Sequence, residues 1–362
     1  MQSLRFPWSL TQIAKLPRTK ISLVADEFLS AKMQRGKQEV QGSVVNPPVK
    51  RANTLATYRL VIRLLTEMQL CGVVALSRLV GQDHLGGNAL VALLAEMGRF
   101  NPEALDSETP RIHRPITIRA MARSFHRPYE TMRRALRRLA ELDLVDLGDD
   151  GVVLRAGVAR RPEIAAYLVE MHDIMVTFLE DLFVFARLPR PGGHVAPWAE
   201  QSHQQRLIKI AALDLHLLSV EGMQGIFNDW SGLLLAAAVT AGNTRGITYH
   251  PELAFTYASA ENIPPMHLRL PVPFKALCDA LPLCPTTAWR RITAMKLLGS
   301  IKTIDGGLIL ESRWLAHPTL IANACDRIER MHAVINRMAQ SGVPLHAIEK
   351  LYIHRRAEPI PL

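Results

Sequence analysis

Only four of the 362 residues are cysteine, Cys71, Cys278, Cys284 and Cys325, and none forms a CxxC pair. That scarcity excludes a disulfide framework and suits a reducing compartment. Cys278 and Cys284 have no histidine in metal-ligand register, so no zinc site is expected. The signatures of common catalysis are missing too. The thirteen histidines show neither HExxH nor HxH spacing, GxSxG does not occur, and no carboxylate pair stands out. Gly81 to Gly86 imitates the start of a phosphate-binding loop, but Gly87-Asn88 stands where Lys-Ser/Thr is required. The expectation is a non-enzyme without cofactor or metal. The most apolar run, Leu233 to Val239, is far short of the ~20 residues of a membrane span. The amino terminus also lacks a signal-peptide core, so a cytoplasmic, nucleoid-associated protein without membrane contact is expected.

What the chain does contain is a repeat. Ile116 to Leu154 recurs without a gap as Val272 to Leu310, 156 positions later. The copies share Ala120/Ala276, Thr131/Thr287, Arg134/Arg290, Leu142/Leu298, Asp149/Asp305, Gly151/Gly307 and Leu154/Leu310, and a proline follows each at Pro162/Pro318. Each copy reads as a helix-turn-helix followed by a small β-hairpin wing. The predicted fold is mainly α, with two related winged helix-turn-helix units embedded in helical repeats. Residues 1–53 are read as an appendage and linker, with Gly36 to Ala52 polar and Pro47-Pro48 within it. A first repeat spans 54–188 with its winged unit at 116–154, a linker covers 189–203, a second repeat spans 204–344 with its unit at 272–310, and 345–362 form a tail. In the first repeat, three- and four-residue apolar spacing from Thr57 to Met97 predicts helices interrupted at Gly81 and Gly86-Gly87. Pro162 opens a long helix whose face of Ile164, Tyr167, Leu168, Met171, Met175, Phe178, Leu182 and Phe185 is read first as core and alternatively as a self-association or effector surface. His172 and Trp230 lie where an effector pocket could form, though a satisfied core role is the favoured reading of both.

The formal charge of +10 is concentrated in these two units. Residues 111–141 carry nine arginines against Glu130 and Glu141, and residues 270–302 carry five cations against Asp279. The remainder is close to neutral, as expected of a protein that meets a polyanion through two patches. In the first unit, Met132, Leu136, Leu139 and Leu142 form the inward set of the second helix. That turns Tyr129, Glu130, Arg133, Arg134 and Arg137 outward. Recognition helices read bases mainly through their amino-terminal residues, while later arginines hold phosphate. Tyr129, Glu130, Thr131 and Arg133 are therefore assigned to base-edge or near-backbone contact, with Arg133 suited to guanine. Arg127, Arg134, Arg137 and Arg138 are assigned to phosphate. In the second unit Thr286, Thr287, Trp289, Arg290 and Thr293 face outward, with Lys296 and Lys302 on phosphate.

Thr131 to Val145, TMRRALRRLAELDLV, resembles the recognition-helix motif of GntR-type bacterial transcriptional regulators over about forty residues per repeat. The resemblance implies a winged-helix protein that binds double-stranded DNA and regulates transcription; it names no effector. Two alternatives share the pattern: a plasmid-type replication initiator with two winged helices, and a protein-interaction or nucleoid-structuring module.

Overall fold

A computed structural model describes residues 49–106, 115–191, 200–221 and 229–362. Arg111, Arg114, most of the amino-terminal appendage and most of the linker before Glu200 lie outside them.

Helix α1 (Val49–Val80) is apolar on more than one face. Leu60, Val61, Leu64, Leu65 and Met68 enter one core, and Leu70 and Val73 enter a second. A helix with apolar residues all round is stable only when surrounded by protein. Its Leu55–Val80 stretch is long and apolar enough to cross a membrane, yet most of it is buried inside the protein. Asp83 caps helix α2 (His84–Phe100) by accepting the Gly86 N–H at 3.0 Å. Gly86-Gly87, expected to interrupt a helix, instead lie in the first turn of α2. A Cβ on Gly87 would come within 2.7 Å of Val80 Cγ2, so the missing side chain lets α2 fold back on α1.

The first repeated unit follows as α3 (Ile118–Ser124), α4 (Tyr129–Glu141), β1 (Val145–Gly148) and β2 (Gly151–Leu154), and α5 (Pro162–Phe185) comes after it. The second half begins with α6 (Gln201–Glu221), α7 (Trp230–Thr248) and α8 (Pro251–Thr256). It continues through β3 (Val272–Pro273), α9 (Phe274–Ala280), α10 (Pro285–Leu297), β4 (Ile301–Ile304), β5 (Gly307–Leu310), α11 (Ser312–Leu315) and α12 (Pro318–Gln340). The protein is thus mainly helical with two small antiparallel sheets, ordered β1-β2 and β3-β5-β4. The elements α3, α4, β1 and β2 begin and end 156 residues before α9, α10, β4 and β5. Even the single bridge Ile116–Val152 falls at the register of Val272–Leu308 in the second sheet. Left-handed backbone recurs as well, at Asp143 (φ 58°) and Gly299 (φ 64°), where each second helix turns into its hairpin.

The two halves do not pack as separate bodies. Helix α1 rests on α7 as α6 rests on α2, and α1 meets α12 as α6 meets α5. Each half's first helix therefore packs on the other half's second and last helices, a reciprocal pattern like that of an isologous dimer interface. The α5 residues Ile164, Tyr167, Leu168, Met171, Met175, Phe178 and Leu182 are buried within this same chain. The final residues are also packed. Asp173 of α5 accepts main-chain N–H groups of Ile353, His354 and Arg355 at 2.9, 2.9 and 3.2 Å, and Ile360 enters the second core.

The hairpins pass close to the strands or bridges entering each unit. At Gly151 (φ 136°) a Cβ would lie 2.5 Å from the Ile116 carbonyl oxygen, a backbone atom that cannot give way alone. Gly157 (φ 71°) has nothing within 4 Å of its Cβ position. Gly151→Ala is expected to cost about 2–4 kcal/mol through strain and the displaced bridge, and Gly157→Ala about 1 kcal/mol through backbone conformation alone. Urea midpoints at unchanged m-values measure both; equal losses would show that the close approach to Ile116 carries no energy.

Candidate nucleic-acid interface

Helix α4 is amphipathic at helical spacing. Met132, Ala135, Leu136 and Leu139 are buried, and the helix packs on α2. The opposite side exposes Tyr129, Glu130, Thr131, Arg134, Arg137 and Arg138, while Arg133 and Arg127 are half-buried. The outward set is thus where the spacing put it, but one inward residue is not. Leu142 is 58% exposed. The helix ends at Glu141, and the positive φ of Asp143 swings the chain off the helical face. Leu144 takes the inward place instead, its N–H donating to the Leu139 carbonyl at 2.9 Å. Arg161 closes this helix end by donating to the carbonyls of Leu142 and Asp143 at 3.2 and 2.7 Å.

The cations on this face are not equivalent. Glu130 accepts two hydrogen bonds from Arg133, at 2.8 and 2.6 Å, and lies 3.5 Å from Arg134. The hydrogen bond from Arg133 holds the Glu130 carboxyl below its usual range. Glu130 is therefore placed to orient Arg133 rather than to project alone. Arg138 reaches back to Asp83 at 2.7 Å, tying α4 to the cap of α2. Arg127 and Arg137 make no ion pair among the described residues. Arg155 joins the start of the hairpin to the end of α4, at 2.5 Å from Asp143 and 2.8 Å from Asp146. The hairpin tip itself, Asp149-Asp150, is exposed and acidic.

In the second unit, Ala288, Ile292 and Met295 are the buried side of α10, which packs on α7. Thr286, Trp289, Arg290, Thr293 and Lys296 are exposed, with Thr287 and Lys302 half-buried. Trp289 is 57% exposed and stands edge-on to Phe274 of α9, with ring centroids 5.6 Å apart. Thr293 spends its hydroxyl on the Trp289 carbonyl at 2.9 Å, and Lys302 pairs with Glu311 at 3.3 Å. Arg291, on the inward edge, reaches Asp229 at 3.1 Å. Arg290 and Lys296 are left without an ion pair among the described residues. Arg313 donates to the Gly299 carbonyl at 3.2 Å, closing α10 much as Arg161 closes α4.

Local pattern missed the partners that come from elsewhere. Asp83 is 55 residues from Arg138, and only the fold of α2 onto α4 brings them together. Among the described residues no cluster of three His, Cys, Asp or Glu side chains could hold a metal ion. Comparisons with protein-family models, curated proteins and solved structures find no match.

Burial pushes the Asp83 carboxyl up, but the hydrogen bonds from Arg138 and the Gly86 N–H outweigh it and leave it below its ordinary value. Its contribution to stability is complete above an unfolded value of about 4 and drains away as pH falls through the lower folded value. Asp83→Asn keeps the cap, because asparagine caps as well as aspartate, and removes that acid dependence. Because Arg138 is largely exposed, the pair is worth under about 1 kcal/mol. Urea melts between pH 6 and about pH 3 should show a flatter acid limb for the variant; an unchanged limb would place the acid sensitivity elsewhere.

Proposed function

We propose that this chain is a sequence-specific double-stranded DNA-binding regulator of transcription that uses two winged helix-turn-helix units, 116–154 and 272–310. The observation that carries this reading is the outer face of α4. There Thr131, Arg134, Arg137 and Arg138 are exposed together on a helix whose other face is buried. A helix of this kind, followed by a hairpin, is the shape that enters a major groove with its amino-terminal residues on base edges.

The geometry refines the roles. Arg133, held by Glu130, is pre-oriented at the amino-terminal turns of α4, where a planar guanidinium suits the O6 and N7 of guanine. Arg134, Arg137 and Arg127 suit phosphate, and Arg138 does so in exchange for its contact with Asp83. The second unit presents Thr286, Thr287, Trp289, Arg290 and Thr293 with Lys296 and Lys302, a less cationic face. Its exposed indole offers an apolar contact to a thymine methyl or a sugar. The two units therefore read unlike half-sites. Their interleaved halves hold them in one body, an arrangement that also suits a replication initiator of the plasmid type; origin-dependent plasmid maintenance separates the two.

Arg133→Ala is expected to lower the preference for the best site by about 1–3 kcal/mol while leaving non-specific affinity nearly intact. Arg137→Ala should weaken binding to every sequence and reduce the slope of log K against log salt by about 0.9. Titrations of labelled duplexes at several salt concentrations distinguish them. Equal, sequence-independent losses from both would overturn the assignment of base reading to Arg133.

A further inference from the structure

A cavity of about 140 Å³ lies where α1, α7 and α12 meet, beside the end of β5 and α11. Three arginines line it: Arg59 and Arg63 from successive turns of α1, and Arg327 from α12. All three are more than nine-tenths buried, at 7, 4 and 5% exposure. Among the described residues no carboxylate pairs with any of them. Glu67, on the same helix, is occupied by Arg245 in two hydrogen bonds of 2.9 Å. The three guanidiniums reach only neutral acceptors: Arg59 the carbonyls of Ala260 and Leu315, Arg63 the Ala254 carbonyl at 3.5 Å, and Arg327 the Gln69 side chain. Four guanidinium nitrogens, Arg59 Nε, Arg63 Nε and Nη1, and Arg327 Nε, are buried without a partner, as is the Trp230 indole nitrogen on the same wall. Burial pushes Arg63 and Arg327 down to about 10.

Unpaired buried charge is costly, and three such groups around one apolar cavity make the cost a property of the site. An ionised carboxylate offers about four lone-pair sites, and the three guanidiniums on this wall have no other anion among the described residues. The rest of the wall is hydrocarbon and indole, with Leu70, Val73, Leu234, Ala237 and Trp314 contributing. A dry cavity of ~150 Å³ holds one benzene-sized molecule, so the space suits a ring or a short chain. We propose that this cavity binds a small organic anion with an apolar body, an aromatic or short-chain aliphatic monocarboxylate, through Arg59, Arg63 and Arg327. Trp230 belongs to this wall rather than to a satisfied core, whereas His172 is fully buried elsewhere, its Nδ1 bonded to Asp173 at 2.9 Å and its Nε2 without a partner among the described residues. The site touches the second repeated unit directly. Leu310 ends β5, and the Leu315 carbonyl accepts from Arg59 at 3.3 Å, so a ligand that recruits Arg59 acts on the segment joining that hairpin to α12. Any consequence for DNA rests on the function proposed above; ligand binding does not.

The test is thermal melting and titration calorimetry of the full chain with benzoate, hexanoate or inorganic phosphate at matched ionic strength, without DNA. Saturating benzoate or hexanoate should raise Tm by at least about 3 °C, and phosphate should not. Arg63→Met and Arg327→Met should melt no lower than the parent when ligand-free, since each replaces an unpaired buried charge with a hydrocarbon, and should lose at least tenfold in carboxylate affinity. The proposal is overturned by the absence of a carboxylate shift in the parent, by equal shifts in both variants, or by a shift with phosphate alone. A steep fall in the ligand-free Tm of both variants would also overturn it, because the guanidiniums would then already be satisfied.

Discussion

Helix α1 is the constraint on which the rest depends. It is buried on nearly all sides, and among the described helices it alone contributes side chains to both hydrophobic cores: Leu60, Leu64 and Leu65 to one, Leu70 and Val73 to the other. An apolar helix of this length has no stable alternative in water, so α5, α7 and α12 must enclose it. Its polar residues then have to be matched from the enclosing helices. Glu67 is matched by Arg245 and Gln69 by the Leu215 carbonyl and Arg327, whereas Arg59 and Arg63 are matched only by main-chain carbonyls. The same burial that organises the protein thus leaves cationic groups facing a cavity.

The reciprocal crossing of the two halves follows from that enclosure. Because α1 packs on α7 and α6 packs on α2, the supports beneath α10 and α4 are each braced by a helix from the other half. The repeated units therefore cannot reorient independently without disturbing a shared core. Their surfaces nevertheless differ: where α4 has Arg133 and Arg137, α10 has Trp289 and Thr293. A shared frame with unlike faces is what the proposed reading of two different sequence elements requires.

Much of this was legible in the sequence, because local patterns specify local structure. The ungapped repeat located both helix pairs and hairpins, and the alternation of Met132, Leu136 and Leu139 with the arginines located the exposed face of α4. Failures came at a helix end and where a feature depends on distant chain. Leu142 continued the apolar spacing, but the left-handed turn at Asp143 removed it from the core. Gly86-Gly87 looked like a break, but Gly86 lies against the capping Asp83 side chain and Gly87 against Val80 and Leu76, where α2 crosses α1. Residues 345–362 carried no periodicity, and their order comes from Asp173, Thr177 and Glu180 on α5, more than 170 residues away. Nothing local marks Arg59, Arg63 and Arg327 as buried, because the packing of α1 against α7 and α12 encloses them.

The central claim is that two unlike DNA-reading faces are carried on one frame, and selection of bound fragments from a random duplex pool at near-physiological salt tests it most directly. The account predicts a bipartite motif with two dissimilar halves at one fixed spacing. Recovery without sequence preference, or no recovery at all, would contradict it.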